Sequence, residues 1–116
     1  MKWAHRDWVR VDILNYPEHV PVRGNYIKSG DESYDKECED RVMEEMEWND
    51  WAWCTVQVTV KFDVLTRSAT LGCCSYKDKD EFKASGYYEG MVDECISTIN
   101  QDIVRLCTEE MTMEDI

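Results

Sequence analysis

The 116-residue chain has only two histidines, two prolines, two phenylalanines and five glycines, and each shortage excludes something. His5 and His19 are far apart, and neither has a Ser or Cys beside it in a nucleophile motif, so the usual triad and dyad mechanisms have no residues to run on. The patterns G-x-G-x-x-G, G-x-x-x-x-G-K-[ST] and H-E-x-x-H are absent, as is an EF-hand loop, which removes the common nucleotide, metalloprotease and calcium readings. Zinc would need C-x₂-C pairs or H-x₃₋₅-H, and neither occurs. No cofactor and no metal are expected, and the chain reads as non-enzymatic. No window approaches the ~20 apolar residues of a membrane span, and MKWAHRDWVR carries charge where an export signal needs its apolar segment. A protein that remains in the cytoplasm is expected.

What is abundant is negative charge and aromatic mass. Asp and Glu number 25 against 13 Lys and Arg, a net charge of −12 that opposes direct attraction to nucleic acid or anionic lipid and favours a basic partner. The excess is concentrated in two blocks. Residues 31–50 hold ten acidic and two basic side chains and residues 89–116 hold eight and one, whereas 1–30 and 51–88 are slightly positive. With 43% apolar residues and 11% aromatics, including five Trp, the chain is too core-rich to be a disordered acidic tail. The length suits one domain over 1–116. Six cysteines, at 38, 54, 73, 74, 95 and 107, read as reduced thiols; Cys38, Cys54 and Cys95 lie in apolar stripes, where free Cys packs as a small hydrophobe.

Periodicity organises the rest. Residues 52–62, AWCTVQVTVKF, alternate Ala52, Cys54, Val56, Val58, Val60 and Phe62 against Trp53, Thr55, Gln57, Thr59 and Lys61, which predicts a strand with one core face. A turn through 63–67 should return the chain as SATLGCCSY, with Ala69, Leu71 and Cys73 inward. Residues 8–13 alternate in the same way and fit a third strand, although Val9 and Ile13 also permit a short helix. Pro17, Pro21, Gly24 and Gly30 mark 16–30 as a loop. Ser29 and Glu32 have capping-box spacing and open a helix over 31–47, with Tyr34, Cys38, Val42 and Met46 as its core stripe. Asp78 and Glu81 open a short helical turn. The helix over 87–107 has the strongest pattern, Tyr88, Met91, Val92, Cys95, Ile96, Ile99, Ile103 and Leu106, with Asp93, Glu94 and Gln101 facing away. From Thr108 the pattern lapses and a frayed acidic tail is expected over 108–116. The predicted class is α+β: a small antiparallel sheet, a hairpin or three strands, with both helices on its apolar face.

The runs GNYIKSGDESYDKECEDRV, WAWCTVQVTVKF and LGCCSYKDKDEFKASGYYEGMVDEC, with the chain's size and acidity, resemble small acidic proteins encoded by bacteriophages and prophages. That resemblance implies an infected bacterial host as the setting and an anti-defence role, such as an anti-CRISPR protein that occupies a nucleic-acid-binding surface of host machinery. It brings no functional residues with it. Those come from the charge pattern: Glu37, Asp40, Glu44 and Glu47 fall one helical turn apart and would offer a ladder of carboxylates in place of phosphates, with Asp93 and Glu94 on the second helix. The expected partner is the basic surface of a host nucleic-acid-binding protein or complex, not nucleic acid and not a membrane. A different reading makes Trp48, Trp51, Trp53, Tyr87 and Tyr88 an aromatic interaction patch and leaves the charge to solubility. The sequence does not fix the oligomeric state.

Overall fold

Alternation decides the sheet. In a computed structural model that describes residues 3–114, and the side chains of 3–108, strand β2 (Cys54–Phe62) buries Val56, Val58 and Val60 completely. Thr55, Gln57 and Thr59 between them stay half-exposed, as a strand with one face on a core requires. β2 is the middle of three strands, flanked antiparallel by β1 (Arg10–Pro17) and β3 (Leu65–Cys74). The register puts Val11 opposite Val60, Ile13 and Ala69 opposite Val58, and Leu71 opposite Val56, so the apolar side chains of all three strands share one face. β1 realises the third strand expected from residues 8–13, beginning at Arg10 and running on through Pro17 into the expected loop. The hairpin turn is the two residues Asp63 and Val64, with Asp63 at φ 56°, a conformation its short polar side chain tolerates.

The far end of the hairpin carries an irregularity that alternation alone does not foresee. Between the pairs Cys54·Cys74 and Val56·Leu71 the β3 strand bulges. Cys73 takes φ 54° there and turns outward, and Cys74 takes the buried position in place of the expected Cys73. Glu18 pins the bulge: its carboxylate accepts the Cys73 amide at 2.7 Å, the Thr55 hydroxyl at 2.8 Å and the Val20 amide at 3.0 Å. Gly72 makes room for it, since a Cβ there would lie 3.1 Å from the same carboxylate.

Helix α3 (Tyr87–Glu114) lies on the apolar face and buries Tyr88, Met91, Val92, Cys95, Ile99 and Ile103, with Asp93, Glu94 and Gln101 exposed as expected. It continues beyond Thr108 to Glu114, so the stretch read as a frayed tail is helical that far; residues 115–116 lie outside the described residues. Arg67 on β3 clamps it by donating from Nε and Nη2 to the two carboxylate oxygens of Asp102 at 2.8 Å each. The short helix α2 (Lys79–Lys83) starts at Asp78, which accepts the Glu81 amide at 2.9 Å. It inserts Phe82 among Trp51, Tyr76 and Tyr88, at ring separations of 5.9, 5.4 and 6.0 Å.

Helix α1 (Glu32–Glu45) departs from the expected arrangement while the α+β class stands. It does not join α3 on the apolar face. It packs at the Pro17–Cys54 end of the sheet through a second, small cluster of Val22, Val42 and Trp53. Only Cys38 and Val42 of its predicted stripe are buried; Tyr34 and Met46 are exposed, because a loop and one indole cover less of a helix than a sheet does. Its cap is Asp31, which accepts the Tyr34 amide at 3.2 Å. Ser29, the expected cap, bonds instead to the carboxylate of Asp35 at 2.6 Å.

Candidate interaction surface

The most distinctive surface is the outer side of α1, and it is held in place by an arginine. The loop before α1 folds back so that Arg23 donates from Nη1 to Glu39 at 3.0 Å and from Nη2 to Asp40 at 2.6 Å. The Gly24 amide also donates to Glu39. Glu39 is almost fully buried, and Trp53 beside it donates its indole N–H to the Val20 carbonyl at 2.7 Å while meeting Tyr26 edge-on. These contacts fix the axis and rotation of α1 relative to the loop. The bonds to Asp40 and then Glu39 raise the pKa of the Arg23 guanidinium above its ordinary value.

With Cys38, Glu39 and Val42 inward, the opposite side carries Glu37, Asp40, Glu44 and, just past the helix end, Glu47, all exposed. At 100° per residue the four fall on one side of the helix. They are not equivalent. Asp40 is neutralised by Arg23, whereas Glu37, Glu44 and Glu47 make no ion pair among the described residues. The predicted four-carboxylate ladder is therefore a three-carboxylate one, with Asp40 serving the fold. Lys36 and Arg41 are the two cations of the helix. Trp48 stands one turn beyond Glu44 with 73% of its surface exposed, so the acidic face ends in an apolar plate.

Asp93 and Glu94 are exposed on α3, but no hydrogen bond or ion pair among the described residues joins α1 to α3. The two acidic blocks thus belong to helices that pack on different clusters, α1 on Val22 and Trp53 and α3 on the sheet. The five aromatics likewise divide. Trp53 and Tyr88 are buried and Trp51 is half-buried against Phe82, each closing a core. Only Trp48 and, at 60% exposure, Tyr87 face solvent. The expected patch of five is corrected on this point: alternation turns Trp53 toward α1, and Tyr88 is the first core residue of α3.

Sequence reasoning missed three acids that matter: Glu18, Glu39 and Asp102. Glu39 and Asp102 carried a signal, because each flanks an apolar stripe (Cys38 and Val42; Ile99 and Ile103), where a carboxylate must find a buried partner. Arg67 lowers the pKa of Asp102, keeping it ionised. Glu18 carried none, since its partners are backbone amides set by the bulge. Those amides, Cys73 first, then Val20, and the Thr55 hydroxyl, bring its pKa down to about 2. Burial pushes Cys54 up to about 12 and raises Cys74 and Cys95 as well, so these thiols are poor nucleophiles. No family model, no curated protein and no solved structure matches the chain. No described helix is long and apolar enough to cross a membrane.

Proposed function

We propose that this protein is a non-enzymatic binder whose α1 ridge docks on a basic, nucleic-acid-recognising surface of a partner, in the manner of a phage-encoded inhibitor of a host defence complex. The observation that carries the reading is the combination of clamp and exposure at α1. Arg23 and Trp53 hold the helix at a fixed rotation, and Glu37, Glu44 and Glu47 then face solvent, none of them in an ion pair among the described residues. A helix held in place presents these carboxylates, Glu37 about two turns before Glu44 and Glu47 about one turn after it, from a backbone that need not be ordered on binding.

Trp48 brings part of the aromatic reading into the same surface. An exposed indole beside charges that steer encounter is the usual composition of a binding hot spot. The test is a triple reversal, E37K/E44K/E47K, which leaves Arg23, Glu39, Asp40 and Trp53 untouched. Partner capture from a bacterial lysate should be lost with the triple variant while its thermal unfolding stays close to wild type. Equal capture by both proteins would overturn the reading.

A further inference from the structure

Both edges of the sheet are open, and they differ. The β3 edge is interrupted by the bulge at Gly72 and Cys73, one of the devices that discourage edge pairing. The β1 edge has no bulge and no glycine, and its only proline is the last residue of the strand. β1 is also incompletely covered. Val11 and Ile13 are half-buried where their partners Val60 and Val58 are fully buried, and beside them runs a groove of about 430 Å³ bordered by Lys79, Lys83 and Tyr88. Trp8 and Leu14, at either end of this stretch, are 64% and 51% exposed.

We infer that the β1 edge pairs with β1 of a second copy of this chain, antiparallel about a twofold axis through Val11, to give a continuous six-stranded sheet. The residue order selects both partner and register. With Val11 opposite Val11 of the second copy, Arg10 falls opposite Asp12 and Asp12 opposite Arg10, so the axis creates two cross-strand ion pairs. Val9, extended just before the strand, then meets Ile13 on the apolar face. Moving the register by two residues in one direction sets Asp12 against Asp12. Moving it two the other way sets Arg10 against Arg10 and loses both ion pairs. In the single chain Arg10 and Asp12 already attract one another at 3.5 Å with both side chains exposed, so pairing of two copies joins two such pairs into one cluster of alternating charge. The total charge of −12 does not forbid the approach, because residues 1–30 carry five basic and three acidic groups and the acidic blocks lie elsewhere.

The test follows from the symmetry. In R10D both cross-strand pairs become Asp against Asp, and in D12R both become Arg against Arg. In an equimolar mixture of the two, every pair is again opposite. Sedimentation equilibrium across a concentration series should give a dimer for wild type, roughly tenfold or more weaker association for each single variant, and recovery in the R10D plus D12R mixture and in the R10D/D12R double variant. Far-ultraviolet circular dichroism of each variant checks that β1 is formed, and recovery in the mixture is itself incompatible with misfolded strands. A wild-type monomer at every concentration, or single variants that dimerise as well as wild type, would overturn the proposal.

Discussion

Glu18 is the residue whose chemistry depends most on the fold. Its carboxylate is held well below the usual range by hydrogen bonds to the bulge, so protonating it costs the native state more than the unfolded chain. A carboxylate lowered in this way contributes stability that is present above its unfolded value of 4.5 and is lost as pH falls from there toward about 2. E18Q should therefore cost about 1–2 kcal/mol near neutrality, an amount limited by the partial exposure of the site. The difference from wild type should shrink in urea titrations run at successively lower pH; a difference independent of pH would contradict it. The thiols make a second residue-scale case. Cys73 is exposed, whereas Cys38, Cys54, Cys74 and Cys95 are buried. An aromatic disulfide reagent should label Cys73 within the native state and the other four only on unfolding, as mass mapping of the labelled peptides would read.

Among the elements, what was legible from sequence follows from how each is buried. β2 and α3 pack on a broad surface of one another, so their apolar periods of two and of three to four were readable, with Leu106 alone of the α3 stripe exposed past the end of the sheet's cover. α1 packs on a loop through Val42 and Trp53, so only part of its stripe is buried and the period overstated the contact. The bulge at Cys73 was unreadable because it is set by Glu18, 55 residues away. These differences predict uneven stability. V42A should cost roughly 1–2 kcal/mol and act locally. Amides of α1 should then exchange faster in hydrogen exchange while those of β2 keep their protection, as a helix outside the main core allows. Loss of protection across the whole sheet would contradict the separate packing of α1. The Arg67–Asp102 clamp behaves otherwise. R67A leaves a mostly buried carboxylate with only Arg105, at 3.8 Å, beside it and should destabilise the fold more than the R67M/D102L pair does, as chemical denaturation would show.

At the scale of the whole molecule the chain is long and narrow, 68 by 24 by 20 Å, with α1 at the Pro17–Cys54 end of the sheet and α3 running past Arg67 at the hairpin end. Its acidic blocks occupy different elements, so the partner surface proposed here is the ridge on α1 and its terminal Trp48, with Asp93 and Glu94 outside it. A docking surface made of carboxylates facing Lys and Arg has a measurable electrostatic character. Its affinity falls as salt rises, because the Debye length shortens from ~10 Å at 0.1 M to ~3 Å at 1 M. The decisive measurement is a salt titration of the captured partner's affinity, run with wild type and with E37K/E44K/E47K, and repeated with duplex DNA as competitor. The expected result is wild-type affinity that drops steeply with salt and is displaced by DNA, and triple-variant affinity that is weak at every salt. Affinity that is flat in salt, unaffected by DNA and shared by both proteins would contradict the account.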